Sequence, residues 1–395
     1  MLYVYTLFDK NRDSHPLMSG VYDSITKSVS FYTLYLKKSG KTLYEIDCAV
    51  DGLSRVISEA PGVMVNDYKQ HILALNLNRK GGVYDVDIPS VRPKDNIKDC
   101  RKLIATILGA MCKIEPQQWQ NIAADAAVVY GNLQRRGVMS NYTVEHPVWS
   151  RTYTGRGKNT GFNVYGVKAG ELSHPNLSGL FVNFDWVAAD MRAVSILSGD
   201  PKLNMAFECS DPYQYLVDAL NTDVPVGGLT RAEGKQIMFQ TAYSFDIDNP
   251  AFNFYDGFRR WIIKCRLQLA HDGYLSSVLG RRFRVVKDHT EKSVFNATAQ
   301  GTIVHAMQLC LSRVWDLLPN SILTENHDSM VLVCNKKDVK DVVRTVAGIM
   351  VQPFKGIIDS NPQFPVRVSI GLQYKKWKLY RRYSNYEQIV KEAHA

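Results

Sequence analysis

The sequence lacks long hydrophobic runs and paired cysteines. Charged residues interrupt every long apolar run in its 395 residues, so no stretch approaches the roughly 20 apolar residues that a membrane-spanning helix needs. The first residues show no basic segment followed by an apolar core, so we expect no secretory signal. The seven cysteines include no C-x-x-C pair, which argues against a disulfide framework and a structural zinc site. We therefore expect a cytoplasmic protein with reduced thiols and no membrane partner.

Positive charge is in surplus. Lys and Arg number 48 against 38 Asp and Glu, a formal net charge of +10, in a chain that is 45% apolar and 22% charged. This is ordinary globular composition, and the surplus suits a polyanion, most often nucleic acid. A basic protein with an unrelated role is an equally good interpretation of charge alone.

Hydrophobic periodicity divides the chain into two parts. The first ninety residues alternate like strands at 2–8, 28–36, 43–48 and 63–65, with a helix over 68–77 and a linker around two prolines near residue 90. After a helix from about 118 to 133, we predict a strand at 180–185, helices over 190–198, 211–220, 231–244, 259–271 and 296–318, and a hairpin of 322–326 with 329–334. This order predicts an α+β layer with an inserted helical subdomain.

Two aspartates lie at the ends of predicted buried strands. Asp185 ends the apolar strand, and Asp328 lies in the tight turn of the hairpin. Two such carboxylates can hold two divalent cations about 4 Å apart, which promotes phosphoryl transfer. Taken alone, each aspartate is more often a turn or capping residue.

The helix predicted from residue 231 has an unusual face. Arg231, Lys235, Phe239 and Tyr243 recur at every fourth position and therefore share one broad face. The cations suit a triphosphate, and the rings offer a base or sugar a stacking surface. The other interpretation is a solvated basic helix with two core aromatics.

Seven segments in this order resemble the motifs of family A DNA polymerases, the class of the bacterial repair polymerase and many phage replicases. They are TGR (154–156), FNVYGV (162–167), NFDWVAADMRAVSILSGD (183–200), TRAEGKQIMFQTAYS (230–244), GYLSSVLGRRF (273–283), NATAQGT (296–302) and ENHDSMVLV (325–333). The third resembles D-Y-S-x-I-E-L-R-x-x-A-x-L-S-G-D, the fourth R-x-x-x-K-x-x-x-F-x-x-x-Y-G, and the last the family's H-D-E hairpin.

The resemblance implies roles for individual residues. Asp185 and Asp328 would hold two Mg²⁺ ions, with Mn²⁺ as a substitute. Arg231 and Lys235 would hold the incoming triphosphate, Lys235 also acting in catalysis, while Phe239 stacks on the nucleotide. Tyr243 would lie near the template base, and Asp190 near the sugar 2′ position. The residues implied to contact the primer–template are Arg156, Arg192, Asn296, Gln300 and His327, the last supporting the primer terminus.

The resemblance also implies a right-hand polymerase fold with an antiparallel-sheet palm, helical fingers, a reduced thumb and a small N-terminal α/β domain. We predict that domain at 1–115, a reduced thumb leading into the palm at 116–180, and palm with the first motif at 181–230. Fingers follow at 231–295, and palm with a basic C-terminal tail at 296–395. The expected partners are primer–template DNA and dNTPs, in a host cytoplasm if the gene is from a phage; a processivity or replisome partner is left open.

Several residues depart from the family's pattern. Asp190 replaces a longer Glu, Ser329 replaces the Glu of H-D-E, Ser244 a Gly and Tyr213 a His near the phosphates. Single-subunit RNA polymerases also carry H-D-S, so RNA synthesis or relaxed sugar choice stays an alternative, with a non-catalytic DNA-binding relic as a second. Residues 63–75 faintly resemble a 3′–5′ exonuclease motif, but His71 stands at its acid and D-x-E is missing, so we expect no proofreading.

Overall fold

The structure is a computed structural model, and it describes residues 2–8, 16–23, 28–33, 63–65, 118–140, 142–145, 148–151, 154, 156–160, 162–209, 211–222, 228–243, 254–285 and 290–393. The chain forms two compact units. The first comprises Met1–Gly137 and Val148–Arg151, and the second Val138–Pro147 and Thr152–Ala395. The predicted strand at 43–48, the helix at 68–77 and the candidate exonuclease residue His71 lie outside the described residues.

The described residues of the first unit include a four-stranded sheet and a long helix. Its strands are β1 (Leu2–Phe8), β2 (Pro16–Asp23), β3 (Ser28–Thr33) and β4 (Val63–Val65), and its helix is α1 (Gln118–Arg136). The sheet order is β3-β2-β1-β4, with β4 parallel to β1. The predicted strands at 2–8 and 63–65 are confirmed, whereas β2 was not anticipated. Helix α1 buries a stripe at a spacing of three and four residues: Trp119, Ile122, Ala126, Val129 and Leu133.

The second unit holds the remaining elements, apart from β7, which belongs to the first. Strand β7 comprises Val148–Arg151. The described strands of the second unit are β5 (Val138–Ser140), β6 (Thr143–Glu145), β8 (Gly157–Thr160), β9 (Leu172–Ser173), β10 (Leu180–Trp186), β11 (Tyr274–Ser276), β12 (Arg282–Arg284), β13 (Ile322–Asn326), β14 (Ser329–Cys334), β15 (Val366–Gln373) and β16 (Lys376–Tyr383). The helices are α2 (Ala189–Ser198), α3 (Pro201–Glu208), α4 (Pro212–Asn221), α5 (Arg231–Tyr243), α6 (Asp256–Asp272), α7 (Glu291–Leu317), α8 (Val339–Val351) and α9 (Tyr386–Ala393).

A five-stranded sheet in the order β13-β14-β10-β15-β16 is the centre of this unit, and its neighbouring strands are antiparallel. Strand β10 alternates its side chains between the two faces. Phe184 and Trp186 are buried on the face that α8 covers, where the Trp186 indole donates a hydrogen bond to the Met350 carbonyl at 2.9 Å. Asp185, between them, therefore points to the opposite face.

The helices pack as a group beside the sheet. Helix α2 contacts α5, α6 and α7, and α4 contacts α5. The side chain of Asp200 links two of these helices, because one carboxylate oxygen accepts from the Leu203 amide of α3 and the other from the Phe258 amide of α6, each at 2.9 Å. The packing there is close: a Cβ on Gly257 would lie 2.8 Å from the Asp200 carboxylate.

Most predicted elements of the second unit are confirmed, including the hairpin of β13 and β14 with its observed bounds. Helix α7 begins at Glu291, five residues before the predicted start, and α6 begins at Asp256. The prediction of a basic C-terminal tail was wrong, since most of that segment forms β16, the edge strand of the central sheet. Among the described helices, none is long and apolar enough to cross a membrane.

Candidate active site

The two predicted metal-binding aspartates lie side by side on the open face of the central sheet. Asp185 pairs in register with Ser329 across β10 and β14, and Asp328 immediately precedes that serine. The backbone amide of Trp186 donates to the Asp328 carbonyl at 3.1 Å, which fixes the hairpin turn against the end of β10. Two strands far apart in sequence thereby bring both carboxylates to one edge of the sheet.

The electrostatics of this pair suit a divalent cation. Burial, followed by the negative charges of the nearby Asp185 and Asp190 carboxylates, raises the pKa of the Asp328 carboxyl to about 6. Oxygen ligands of this charge are the ones Mg²⁺ and Mn²⁺ accept. Within the described residues no group of three or more His, Cys, Asp or Glu could surround a metal, so water or substrate oxygens would complete the shell of any ion at this pair.

The hairpin turn at the site adopts an uncommon backbone conformation. His327 has φ of 61°, in the left-handed region that non-glycine residues seldom enter. Its amide donates to the Glu325 carboxylate at 2.8 Å, and its ring lies 5.0 Å from that of Tyr165. Burial, followed by the charge of Arg156, lowers the pKa of the imidazole, so His327 is neutral at pH 7. A residue held this way places the next carboxylate, Asp328, in a fixed direction.

Asp190, predicted to lie near the sugar, is held from two sides. Arg156 donates from Nη2 to Oδ1 of Asp190 at 2.9 Å, and the Tyr243 hydroxyl donates to Oδ2 through a short hydrogen bond. Burial and then the Asp190 charge raise the pKa of Tyr243, so its phenol stays protonated and remains a donor. Three motifs, from three separate parts of the sequence, therefore meet at one carboxylate.

Helix α5 carries the predicted triphosphate ligands on an exposed face. The helix begins with a capping box, since the Glu233 carboxylate accepts from the Thr230 amide at 2.7 Å and the Thr230 hydroxyl accepts from the Glu233 amide at 3.4 Å. Arg231 pairs with the carboxylate of Asp211 at 2.5 Å, and the ammonium of Lys235 lies 5.6 Å from the ring centre of Phe239.

Close packing fixes the position of that face. A Cβ on Gly234 would lie 2.3 Å from a methyl of Val217 in α4, so only glycine permits α5 to approach α4 this closely. The Phe239 ring, 39% exposed, lies nearly parallel to that of Tyr213, with centres 6.5 Å apart. The predicted stacking surface is therefore open to a ligand.

The residues predicted to contact primer–template at α7 lie on its half-buried positions. Asn296 and Gln300 are one turn apart, and the Asn296 amide oxygen has no hydrogen-bond partner within the described part of the chain. Gly301 follows them, and a Cβ there would lie 2.5 Å from the Phe283 ring of β12. The glycine of the NATAQGT segment therefore lets β12 pack directly on α7.

The structure does not support Arg192 as a primer–template ligand. Its side chain is only 8% exposed, and it donates to the Gln363 carbonyl at 2.6 Å and to the Ser195 hydroxyl at 3.1 Å. Burial lowers the pKa of its guanidinium to about 10. The prediction was wrong because α2 turns this position toward the interior, where it ties the helix to the loop before β15.

Two arginines at the site were missed by the sequence reasoning. Arg367 of β15 donates from Nε to Oδ2 of Asp185 at 3.2 Å and makes a second, shorter bond from Nη2. Arg382 of β16 lies beside it. The one available signal was the alternation V-R-V-S-I in residues 366–370, which places a charge at an exposed position of an apolar strand.

The fold is that of a right-hand polymerase, with two acids on the open face of an antiparallel sheet and a helix that bears cations beside it. The POL domain of Pol1 from M. smegmatis, in complex with DNA primer–template and dNTP, matches with a TM-score of 0.51 and 16% sequence identity. The match covers 82% of this chain and 65% of that one.

Sequence similarity points the same way. Thermostable DNA polymerase I from Thermus aquaticus is 24% identical over 224 residues, and that from Thermus thermophilus is 26% identical over 225. Each alignment covers 49% of this chain and 26% of the relative, so the chain matches about a quarter of the length of these curated relatives. No protein-family model matches the chain. The comparisons confirm the right-hand polymerase fold and support the resemblance to family A DNA polymerases.

Proposed function

We propose that this chain is a template-directed DNA polymerase that adds deoxynucleotides to the 3′ end of a primer. One observation carries the proposal: the paired carboxylates of Asp185 and Asp328 lie on the palm sheet, and Arg367, which bonds to Asp185, lines the same cavity as Arg231 and Lys235 of the fingers helix. Acids for metal ions and cations for a triphosphate therefore border one space. The polymerase relatives support the same activity.

The reaction is attack of the primer 3′-hydroxyl on the α-phosphate of the incoming nucleotide, with cleavage of the bond to the departing pyrophosphate. Asp185 and Asp328 would hold two Mg²⁺ ions, with Mn²⁺ as a substitute. Such ions, when bound, lower the pKa of the attacking hydroxyl and neutralise charge on the phosphates. Arg231 and Lys235 bind phosphate oxygens, and Lys235 stabilises the charge that builds up on the leaving group.

The remaining residues position the substrates. Phe239 presents an exposed ring on which the nucleotide stacks, and Tyr243 closes the site next to the template base. Arg156, Asn296, Gln300 and His327 contact the primer–template, with the strained turn at His327 holding the primer end. The partners are primer–template DNA and dNTPs, in line with those bound to the structural relative.

Relaxed sugar choice is the second candidate. Asp190 is one methylene shorter than the glutamate of the family pattern, and its carboxylate can accept a hydrogen bond from a ribose 2′-hydroxyl. Ser329 donates to the Asn326 carbonyl at 3.3 Å, so this position supplies no third carboxylate. These two features favour an enzyme that prefers dNTPs but tolerates rNTPs.

Primer extension with Mg²⁺, offering dNTPs and rNTPs in separate reactions, tests the proposal. Asp185→Asn and Asp328→Asn should abolish nucleotide addition, while binding to primer–template survives because that binding depends on cations. The control is Asp316→Asn, an exposed acid near the end of α7, which should extend normally. Substantial extension by either site variant would remove the two-metal assignment, and DNA binding without extension by the wild type would favour a non-catalytic relic.

A further inference from the structure

A basic cavity lies between the fingers helix and the edge of the palm sheet. It has a volume of about 300 Å³, and four basic residues line it against one acid, Asp211. Arg231 and Lys235 come from α5, whereas Arg367 and Arg382 come from strands β15 and β16. The cavity therefore has cations on two walls: the fingers wall, formed by α5, and the palm wall, formed by β15 and β16. Only the fingers wall belongs to a motif that the sequence predicted.

The palm wall contains an unfavourable arrangement of charge. Asp185, Arg367 and Arg382 lie directly opposite one another across three neighbouring strands, so their side chains share one face of the sheet. Like charges directly opposite each other across antiparallel strands destabilise the pairing. Asp185 balances Arg367 only, which leaves the charge of Arg382 uncompensated within this row.

A divalent cation would change the balance further. If Asp185 binds a metal ion, its carboxylate charge is shared with that ion, and the ion repels the nearby Arg367 guanidinium. Arg367 then needs another anion within reach. Its side chain is 46% exposed and lines the cavity, so the anion can approach from solvent on the side of Lys235.

We propose that Arg367 and Arg382 form the palm half of a polyphosphate site that binds the triphosphate tail of the incoming nucleotide and the pyrophosphate product. Arg367 exchanges partners: it bonds to Asp185 when the site is empty and to phosphate oxygens when a metal ion occupies Asp185. Arg382 binds phosphate in both states. The proposal rests on the proposed function for the identity of the nucleotide, but the anion site itself can be measured without DNA.

An ordinary surface ion pair is the competing interpretation of Arg367. Exposed pairs contribute little to stability, and many have no measurable role. That interpretation does not account for Arg382, which adds a second positive charge directly beside the first. Nor does it account for two further cations on the opposite wall of the same cavity. A polyanion bound between the two walls would balance the charges of all four basic residues.

The first experiment measures binding of inorganic tripolyphosphate by calorimetry, without DNA or metal ions. Arg382→Gln should weaken binding roughly tenfold or more, as expected for a lost charge-assisted contact, while Arg382→Lys should retain much of the affinity. The matched control is Arg381→Gln, which removes the same charge from the next residue. Arg381 faces the other side of the sheet, where it pairs with Glu392 at 3.3 Å, so binding should be unchanged.

The second experiment measures Mn²⁺ binding by electron paramagnetic resonance, without nucleotide. Arg367→Gln should bind Mn²⁺ more tightly, because no guanidinium competes for Asp185, and in the presence of Mn²⁺ it should bind tripolyphosphate more weakly. A variant that merely distorts the sheet would bind both Mn²⁺ and tripolyphosphate more weakly. Opposite shifts of the two affinities are therefore the expected result. Equal weakening, or no change in either, would overturn the exchange.

Primer extension by the same preparations separates the two proposals. If Arg382→Gln binds tripolyphosphate like the wild type while Lys235→Gln does not, the anion site lies on the fingers helix alone and this inference is wrong, although the proposed polymerase function stands. If the wild type extends primers but binds no tripolyphosphate, the inference again fails. If it binds tripolyphosphate through both walls but never extends a primer, the site is supported and the proposed polymerase function is wrong.

Discussion

Removing a single hydroxyl tests whether Asp190 controls sugar selection. In Tyr243→Phe, the Asp190 carboxylate loses the phenol that donates to Oδ2 and keeps only the Arg156 bond at 2.9 Å. A hydrogen bond to a charged group contributes about 1.5–3 kcal/mol, which corresponds to roughly 10–100-fold in an equilibrium or a rate ratio. With its side chain only 17% exposed, the carboxylate cannot recover that energy fully from water. We expect it to turn toward the nucleotide and accept a ribose 2′-hydroxyl.

The measurement is single-nucleotide insertion of dNTP against the matching rNTP, comparing ratios of kcat/KM. Discrimination against rNTP should fall roughly 10–100-fold in Tyr243→Phe. Tyr255→Phe is the matched control, because Tyr255 is fully buried and its hydroxyl has no hydrogen-bond partner within the described residues. Its discrimination and stability should stay near those of the wild type. Unchanged discrimination in Tyr243→Phe would refute the argument that the phenol holds Asp190 away from the sugar.

Two further predictions concern the site, and a third compares two glycines in helices. Lys235→Ala should raise the KM for dNTP or slow the chemical step roughly 10–100-fold, while the affinity for primer–template stays unchanged. The control is Lys264→Ala, which removes a lysine from the exposed face of α6. An unaltered nucleotide dependence in Lys235→Ala would show that α5 does not face the triphosphate. Asp190→Glu should strengthen discrimination against rNTPs by about 1–3 kcal/mol, and equal discrimination in both proteins would mean that Asp190 is not the gate. In urea unfolding, Gly301→Ala should destabilise the protein by about 1–3 kcal/mol, because its Cβ would lie 2.5 Å from the Phe283 ring. Gly348→Ala, where the nearest atom is 3.4 Å away, should stabilise α8 by up to about 1 kcal/mol, and shifts of the same sign would contradict this.

Local sequence signals were enough to predict the elements that carry the site. The apolar run ending at Asp185, the two-residue turn at Asp328 and the fourfold spacing from Arg231 depend on neighbours within one strand, turn or helix. The corresponding strand, hairpin and helix have nearly the predicted bounds. Their order then limits the possible arrangements, because strands of one antiparallel sheet bring their ends to shared edges.

Contacts between distant segments could not be predicted in the same way. Arg156 meets Asp190 across 34 positions of sequence, and Arg367 meets Asp185 across 182. No periodicity within either segment specifies such a pairing, since it depends on strand register and on which neighbour a strand takes. The same reason explains Arg192: a cation in a motif predicts a ligand for nucleic acid, but the helix orientation makes it a buried tie to Gln363.

Recognising β16 as a strand changes the interpretation of the site. Interpreted as a tail, the basic segment near residue 380 has no defined relation to the acids. As strand β16, it places Arg382 opposite Arg367, which in turn lies opposite Asp185. This row of side chains faces the cations of α5 across the cavity. Charge of one sign on two walls costs free energy in the empty protein and lowers the cost of bringing in a polyanion. The surplus of positive charge seen in the sequence is therefore partly local, concentrated where a triphosphate would bind, and does not serve only to attract the DNA backbone.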